Sequence, residues 1–221
     1  MAGDRNECGM VDAPVSTEEI RRYYDRASRF YFIVAAVEKK ARQRGLALAA
    51  IKPGDKVLEV AVGIGRTFLE ILKLVEVGNT VYGVDISEVM LRKTSELAAS
   101  RGCGNFELTA ADARELPFDE GTFDVVYSSY TLDLIPTGEI PVVLGEFRRV
   151  LKRGGRLVLV DMSKRGASPV LYERLYRLMP RRLGGCRPVL MGPFLEEAGF
   201  TEIQRRVQGR VLPTEIVTCR K

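Results

Sequence analysis

The sequence predicts an α/β fold in which a mixed sheet of seven strands, parallel except for an antiparallel C-terminal hairpin, is flanked by helices. Short apolar runs alternate with segments of helical spacing between residues 56 and 162, a pattern typical of a parallel sheet with right-handed crossovers. The last two runs are joined only by residues 208–210, too short a link for a parallel crossover, and this predicts an antiparallel pair.

The individual elements follow from the spacing of apolar residues and from the turn residues between them. The strands are predicted at 57–62, 80–85, 105–109, 123–129, 156–161, 200–207 and 211–218. The helices after the first strand are predicted at 66–77, 87–100, 139–151, 169–180 and 193–198. Ser16 and the acids after it indicate a helix start, and the glycines at 154 and 155 indicate a helix stop.

One domain is expected, because 221 residues fit a single α/β unit with a buried core. Residues 1–15 are polar and irregular, which predicts a mobile tail before a domain at 16–221. Residues 16–50 have helical spacing and many aromatic side chains, so they form either a lid over a ligand or two helices packed on the edge of the sheet. A second lid helix is expected within an insertion at 164–187.

Composition argues against several classes of function. The net charge of +5 is too diffuse to indicate a nucleic-acid partner. The four cysteines are far apart in the chain, which argues against a metal site and against disulfide bonds. No apolar run is long enough to span a membrane and no signal-peptide layout is present, so a cytoplasmic protein is expected. Histidine is absent, so any proton acceptor must be a carboxylate, a tyrosine, a thiol or water.

A turn containing Gly63 and Gly65 connects the first strand to its helix. Glycine lets the backbone bend sharply and lets a ligand approach, and the amides at the helix start favour a negatively charged group. A dinucleotide site would need a third glycine where Phe68 stands. A second kind of ligand site has an acid followed by the pattern Gly-x-Gly-x-Gly. In this chain Glu59 is the acid, and Ala61 stands at the first glycine position. A glycine turn that binds no ligand is the third interpretation.

Two more acids lie where predicted strands end. Asp85 ends the second strand about 20 residues after the glycines, where a carboxylate accepts hydrogen bonds from ribose hydroxyls. Its alternative role is to cap the following helix. Asp112 lies in the loop after the third strand, well placed to receive an adenine amino group, and Ala113 offers its backbone amide. Because parallel strands end at one edge of the sheet, these residues and the segment 127–133 predict a single ligand site.

With these residues placed, the chain resembles the class I S-adenosylmethionine-dependent methyltransferases over roughly residues 20–208. The resemblance rests on the first turn and on four later segments. These segments are 81–87, 112–118, 123–126 and 147–155. Within that family the chain is similar to the quinone-biosynthesis methyltransferases and their relatives that act on lipid head groups, through Tyr24-Asp25 and Tyr31. The resemblance implies a Rossmann-like sheet.

The resemblance also implies S-adenosylmethionine as cofactor and S-adenosylhomocysteine as product. The turn with Ala61, Gly63 and Gly65 would carry the methionine portion, and Glu59 would orient its ammonium group. Asp85 would hold the ribose. The adenine would lie near four residues, which are Ile86, Met90, Asp112 and Ala113. Ser128 would sit beside the sulfonium.

Tyr24, Tyr31 and Asp133 are the candidate catalytic residues. The resemblance implies that the two tyrosines close the pocket, and an aromatic face near a sulfonium is favourable. The quinone carbon-methyltransferases carry an Arg-Asn pair in the loop after the fourth strand, where this chain has Asp133 and Leu134, which disfavours methylation of a quinone ring. Asp133 is a proton acceptor, a clamp for a cationic amine, or only the start of the turn before Pro136.

The predicted function is methyl transfer to a small apolar or lipid-like acceptor, by a monomer or a homodimer. The segment 169–182 combines arginines with an apolar stripe of Leu171, Leu175, Leu178 and Met179. It is either a lid over the acceptor pocket or a helix that contacts an anionic membrane surface. Two other functions stay open, a nicotinamide-dependent oxidoreductase on a similar sheet and a binding module that keeps the cofactor site without turnover.

Overall fold

The computed structural model describes residues 10–27, 31–164, 170–209 and 213–221. Within these ranges, seven strands form a single sheet. They are β1 (Val57–Val60), β2 (Val81–Asp85), β3 (Phe106–Ala110), β4 (Phe123–Ser129), β5 (Leu151–Met162), β6 (Thr201–Gln208) and β7 (Thr214–Arg220). Seven α-helices of the same ranges flank the sheet. They are α1 (Thr17–Ala27), α2 (Tyr31–Ala49), α3 (Arg66–Leu72), α4 (Glu88–Ala99), α5 (Ile140–Val150), α6 (Val170–Leu178) and α7 (Met191–Glu197).

The strand order in the sheet is β3-β2-β1-β4-β5-β7-β6. The first five strands of the chain are parallel, and β7 pairs antiparallel with both β5 and β6. The predicted mixed sheet with an antiparallel C-terminal hairpin is therefore confirmed. The order changes direction between β1 and β4, so the crevice for a ligand lies outside the carboxyl ends of these two neighbouring strands.

Apolar side chains cover both faces of the sheet, which is why the central strands are buried along their length. On one face Leu58, Val126 and Phe147 belong to a cluster that includes α5 and α7. On the other face Phe68 and Tyr127 belong to a cluster that includes α2 and α3. The two clusters make β1 and β4 a rigid base for the loops that follow them.

Several predicted boundaries differ from the structure. The predicted helix stop at residues 152–155 lies within β5, because Leu151 already pairs with Phe123 before an irregularity in the ladder between Phe123 and Val125. Gly154 forms the turn in that irregularity, with φ +73° and its N–H donated to the carbonyl of Lys221. Helix α3 ends at Leu72 rather than near residue 77.

The segment before α1 differs from the expectation of a mobile tail over residues 1–15. Met10 is buried, and its sulfur accepts the backbone N–H of Leu190 at 3.1 Å. Asp12 accepts the backbone N–H of Thr137 at 2.9 Å. Residues 10–15 therefore pack against the domain, because apolar side chains between the polar ones find a place in its core. Residues 1–9 lie outside the described part of the chain.

Helix α1 begins where the sequence predicts. Ser16 and Glu19 form a capping box, in which the Glu19 carboxylate accepts the N–H of Ser16 at 3.0 Å and the Ser16 hydroxyl accepts the N–H of Glu19 at 3.3 Å. One face of α1, spaced by three and four residues, then presents Thr17, Ile20 and Tyr24 towards the carboxyl edge of the sheet.

Candidate functional site

The turn after β1 has a strained, tightly anchored backbone. Ala61, Gly63 and Gly65 have φ values of +62°, +55° and +77°. The N–H of Ala61 is held by the carbonyl of Val84 at 2.8 Å, and the Thr94 hydroxyl donates to the carbonyl of Gly63 at 2.9 Å. The turn is thus attached to both β2 and α4. An alanine at φ +62° is uncommon, because its Cβ is crowded in the left-handed region that glycine tolerates.

Gly63 and Gly65 occupy different surroundings. A Cβ on Gly65 would lie 2.9 Å from the Cα of Thr94, so α4 fills the space beside it. A Cβ on Gly63 would meet no atom within 4 Å among the described residues. Gly63 lines the cavity described next, whereas Gly65 is not part of its wall. Gly65 therefore serves the packing of the turn, and Gly63 keeps the cavity open.

A cavity that is partly open to solvent lies at the carboxyl edge of the sheet. Seven of the ten residues predicted to bind a cofactor line it. They are Ala61, Gly63, Asp85, Ile86, Met90, Asp112 and Ala113. Tyr24, predicted from the N-terminal segment, lines the same cavity. Residues from β1, β2, α1 and the loop after β3 are thus brought together as the positions of the strand ends predict.

Asp85 is the central carboxylate of this cavity. Its Oδ2 accepts the N–H of Gly63 at 2.9 Å and its Oδ1 accepts the N–H of Ser87 at 2.9 Å. Burial raises the pKa of Asp85 to about 6, against the lowering effect of these two hydrogen bonds. Each oxygen keeps a further lone pair for a hydroxyl donor. The carboxylate can therefore hold the turn and bind a ligand at the same time.

The capping of α4 is provided by Ser87. Its hydroxyl oxygen accepts the N–H of Met90 at 3.1 Å, and its hydroxyl hydrogen is donated to Asp25 on α1. The alternative in which Asp85 acts as the cap is therefore not needed to satisfy the helix start. The same serine ties the helix above the cavity to the loop beside Asp85.

Asp112 is paired within the protein. The side chain of Arg114 donates to both of its oxygens, with Nε at 2.8 Å from Oδ1. Burial raises the pKa of Asp112, but the hydrogen bonds from Arg114 outweigh this effect and keep the pKa below its ordinary value. Arg114 also donates to Thr17 on α1 at 2.8 Å and pairs with Glu139. The sequence analysis did not identify Arg114, which links the acid at this edge to the helix above it.

Glu59 lines a second, smaller cavity on the other side of the glycine turn. Its Oε2 is buried and has no hydrogen-bond partner among the described residues. Burial raises the pKa of Glu59 well above its ordinary value, although nearby Arg42 lowers it. Glu38 and Arg42 of α2 line the same cavity. Both cavities share Ala61, Gly63, Ser129 and Tyr130, so they meet at the turn.

Ser128, which the resemblance places beside the sulfonium, is not among the described residues that line either cavity. Its hydroxyl is buried between the carbonyl of Val60, at 3.2 Å, and the hydroxyl of Thr131, at 2.8 Å. Ser129, the last residue of β4, lines both cavities instead. Adjacent residues of a strand point to opposite sides, and the sequence did not indicate which of the two serines faces the crevice.

The three candidate catalytic residues have different surroundings. Tyr24 lines the larger cavity, and its hydroxyl lies 3.2 Å from the sulfur of Cys186. Tyr31 begins α2, and its side chain lies outside the described part of the chain. Asp133 is completely buried and does not line the described walls of the cavity. The loop after β4 thus faces the cavity through Tyr130, Thr131 and Leu134 rather than through its acid.

Asp133 belongs to a buried polar cluster with Asp161 and Arg187. Neither oxygen of Asp133, and neither Nε nor Nη1 of Arg187, has a hydrogen-bond partner among the described residues. Asp161 accepts the N–H of Thr131 at 2.9 Å, and Arg187 donates to the carbonyl of Ile135. Burial, together with the nearby Asp161, raises the pKa of Asp133 well above its ordinary value. The cluster therefore holds the loop that forms one wall of the cavity.

Comparison with known proteins identifies the family. A family model described as a methyltransferase domain matches residues 57–155. The chain is 32% identical over 174 residues to demethylmenaquinone methyltransferase of Staphylococcus aureus. The matched region covers 76% of this chain and 70% of that protein. The chain belongs to the S-adenosylmethionine-dependent methyltransferases. The family predicted from the motifs is therefore confirmed, with S-adenosylmethionine as its cofactor, which argues against the nicotinamide alternative.

A second relative is matched over a smaller share of its length. This chain is 34% identical over 142 residues to nocamycin O-methyltransferase of Saccharothrix syringae, and the matched region covers 64% of this chain. It covers 48% of that protein, so the chain spans about half the length of this relative.

Solved structures show the same fold. The chain superposes on 1,6-didemethyltoxoflavin-N1-methyltransferase of Burkholderia thailandensis, whose structure contains 1,6-didemethyltoxoflavin and S-adenosylhomocysteine. The TM-score is 0.73 and the identity is 19%, and the match covers 96% of this chain and 93% of that chain. It superposes on the cyclase SpnF with a TM-score of 0.75, 20% identity and coverage of 96% and 99%. At these identities the similarity concerns the fold alone.

Helix α1 closes the larger cavity of the methyltransferase from above. Thr17, Ile20, Arg21 and Tyr24 line it from one face of the helix. Thr17 is held by Arg114, Asp25 by Ser87, and Tyr24 contacts Cys186. These tethers join α1 to the loops after β3 and β2 and to the segment after α6. Among the described residues, no helix is both long enough and apolar enough to cross a bilayer.

Proposed function

We propose that this methyltransferase transfers the methyl group of S-adenosylmethionine to a small apolar or lipid-like acceptor. The observation that carries the proposal is the division of the larger cavity into two kinds of wall. One wall is polar and is formed by Asp85, Asp112 and the glycine turn. Apolar surface elsewhere in the same cavity comes from Ile20, Leu134 and Ile135. A charged cofactor suits the polar wall, and an apolar acceptor suits the apolar surface.

The residues of the site fit the cofactor in several respects. Asp85 keeps free lone pairs for the two ribose hydroxyls. The unpartnered Oε2 of Glu59 supplies an acceptor for the ammonium group, directly or through water. The open space beside Gly63 leaves room for the methionine portion. Ile86 and Met90 supply apolar contact for the adenine, and we assign its amino group to Asp112, next to Ala113. These assignments follow from the chemistry of each group.

When bound, S-adenosylmethionine supplies an electrophilic methyl group on a sulfonium. The chain contributes orientation, which suffices for large rate effects because well-oriented groups reach effective molarities of about 10⁵ M or more. We assign Tyr24 to closing the cavity and excluding water, since it lies on α1 above the polar wall. Burial raises the pKa of Tyr130, so its hydroxyl stays protonated and acts as a donor rather than a base.

We assign Asp133 no direct proton transfer. Its carboxyl group is buried away from the described walls of the cavity, and its raised pKa favours the protonated form. An acceptor that must lose a proton then loses it to water or to a group other than Asp133. A clamp for a cationic amine is disfavoured by the same burial. Asp133 instead supports the loop that carries Tyr130 and Leu134.

The relatives name two acceptors, demethylmenaquinone and nocamycin. Both are small molecules, which supports a small acceptor for this chain. Methylation of a quinone ring is disfavoured, because the loop after β4 has Asp133 and Leu134 where the quinone carbon-methyltransferases carry an Arg-Asn pair.

The proposal is tested by mass spectrometry. The protein is incubated with S-adenosylmethionine carrying a deuterated methyl group and with a bacterial lipid extract, and labelled products are sought. We expect labelled apolar products with the wild type and none with Asp85→Ala. Binding of S-adenosylmethionine by calorimetry without any labelled product, from the lipid extract or from a panel of small amines, phenols and thiols, would instead support the non-catalytic binding module.

A further inference from the structure

Helix α6 turns its leucines to solvent. The side chain of Leu178 is 79% exposed and that of Leu175 is 39% exposed. The predicted lid would have turned this apolar stripe inward over an acceptor pocket. The structure corrects that expectation for these two leucines, and the side chain of Leu171 lies outside the described part of the chain.

The inward face of α6 is held by polar contacts that determine this orientation. Tyr172 donates its hydroxyl to the carbonyl of Cys186 at 2.8 Å, and Tyr176 donates to the carbonyl of Gly185 at 3.0 Å. Glu173 pairs with Lys164. Turning the leucines inward would break all three contacts. The exposed stripe is therefore a fixed feature of the fold.

Arginines surround the exposed leucines. Arg174 and Arg177 lie on the same exposed side of α6, and neither forms an ion pair with a described residue. Arg181, which follows the helix, is 75% exposed at its side chain and pairs with Glu19 of α1. Arg26 of α1 is also exposed and forms no ion pair with a described residue. Helix α6 and the segment after it thus present an arginine-rich surface, and α1 adds Arg26, which lines a groove together with Arg181.

Helix α1 packs against the segment that follows α6. Tyr23 of α1 lies so close to Gly184 of this segment that a Cβ there would lie 2.8 Å from its ring. A groove between α1 and this segment is lined by residues that include Ile20, Tyr23, Arg26 and Arg181. We define the lid face as Arg26, Arg174, Leu175, Arg177, Leu178 and Arg181.

We propose that the lid face docks on the surface of an anionic phospholipid bilayer. Exposed leucines between arginines match such a surface, because the leucines enter the boundary with the acyl chains while the arginines contact anionic headgroups. A second copy of the chain is a poorer occupant. In a two-fold symmetric dimer the same unpaired arginines would face each other across the interface. Charge complementarity therefore favours the bilayer.

The docked orientation would also bring a lipid-like acceptor close to the reaction site. Ile20 lines both the groove and the larger cavity, so a single side chain lies between them. This second consequence rests on the proposed function. Docking itself does not, because it needs neither the cofactor nor an acceptor.

The test measures binding of the full-length chain to vesicles by flotation. Vesicles of phosphatidylcholine with phosphatidylglycerol are compared with vesicles of phosphatidylcholine alone. We expect binding to the anionic vesicles that is at least roughly tenfold stronger and that falls with salt. The double variants Arg174→Glu/Arg177→Glu and Leu175→Ser/Leu178→Ser should each reduce it at least about tenfold. Arg174→Lys/Arg177→Lys should retain it.

The matched controls are Arg101→Glu and Val77→Ser. Both residues are exposed and follow helices that run back to the opposite edge of the sheet. The controls should bind vesicles like the wild type, and all variants should keep thermal protection by S-adenosylmethionine, which shows that they fold. Equal binding to both kinds of vesicle, no binding to either, or equal loss in the controls would overturn the proposal. A dimer in light scattering that Leu175→Ser/Leu178→Ser dissociates would assign the lid face to a second copy and overturn it as well.

Discussion

Gly63 donates its backbone N–H to Oδ2 of Asp85 over 2.9 Å, so the turn after β1 and the end of β2 are joined at the floor of the cavity. The carboxylate that we assign to the ribose is also the group that holds the glycine turn in place. Binding of the cofactor and order in the turn should therefore depend on the same side chain.

Replacing Asp85 should weaken cofactor binding. Asp85→Asn loses the charge that strengthens hydrogen bonds to hydroxyl donors, and such bonds contribute about 1.5–3 kcal/mol each. We expect affinity for S-adenosylmethionine to fall about 10- to 100-fold in calorimetry. Because the pKa of Asp85 is raised to about 6, wild-type affinity should also fall as the pH drops through 6, when the acceptor lone pairs are lost to protonation.

Asp124→Asn is the matched control, since this acid lies at the start of β4 and pairs with Lys152 away from the cavity. It should bind the cofactor like the wild type. If Asp85→Asn also binds normally, the ribose assignment is wrong.

Binding of the cofactor should release a proton through Glu59. Burial raises the pKa of Glu59 well above its ordinary value, which favours the protonated carboxyl before the cofactor binds. A cationic ammonium beside it favours the charged carboxylate and lowers that pKa. Calorimetry at pH 7 in buffers of different ionisation enthalpy should show net proton release. Glu59→Gln should abolish the release, whereas Glu70→Gln, at an exposed position on α3, should preserve it.

The two glycines of the turn should respond differently to alanine. Gly63→Ala and Gly65→Ala meet the same strain of positive φ, about 1 kcal/mol. Only Gly65→Ala also drives a methyl group against Thr94. We expect Gly65→Ala to lower Tm by several degrees more, since 1 kcal/mol corresponds to about 2–4 °C in a chain of this size.

Gly63→Ala should instead weaken binding of S-adenosylmethionine at least about tenfold, because its methyl group enters the space left for the cofactor. Thermal unfolding and calorimetry on both variants check the comparison. Equal effects of the two substitutions on stability and on affinity would contradict the separate roles of the glycines.

Asp133→Asn should stabilise the protein at alkaline pH. In the folded state the pKa of Asp133 is raised well above its ordinary value, and that of Asp161 is raised to about 6. The folded state then keeps protons that the unfolded state loses above pH 4, so this contribution to stability is lost as pH rises. Removing the Asp133 charge should raise Tm at pH 8 by about 2–4 °C, and by less at pH 5.

Asp119→Asn, at an exposed site, is the control for this pH dependence and should leave the Tm difference between pH 5 and pH 8 unchanged. A Tm for Asp133→Asn that lies below the wild type at pH 8 would show that the charged form of Asp133 stabilises the fold.

The sheet was predictable because the alternation of apolar runs and helical segments constrains how parallel strands are connected. The positions of Asp85 and Gly63 were predictable for the same reason, since Asp85 ends β2 and Gly63 lies in the turn after β1, at one edge of the sheet. The choice between Ser128 and Ser129 was not, because adjacent strand residues point to opposite sides and the sequence does not show which side faces the cavity. Arg114 was missed because two of its three partners, Thr17 and Glu139, come from distant parts of the sequence.

The outward face of α6 was also beyond the sequence. An amphipathic pattern shows that one side of a helix is apolar, but not which side packs against the protein. Here the hydroxyls of Tyr172 and Tyr176 donate to backbone carbonyls on the inner side of α6, so the leucines lie on its outer side. The burial of Asp133 was hidden for a similar reason, since its neighbour Arg187 is distant in the chain.

The tethers of α1 have a consequence for the speed of turnover. Ser87, two positions after Asp85, donates a hydrogen bond to Asp25 of α1. Arg114, which also donates to Asp112, donates a hydrogen bond to Thr17 of α1. A spent cofactor leaving past α1 has to part these bonds first. We therefore expect departure of S-adenosylhomocysteine, rather than the chemical step, to pace the cycle, which an initial burst of methylated product in rapid-quench experiments would reveal and its absence would refute.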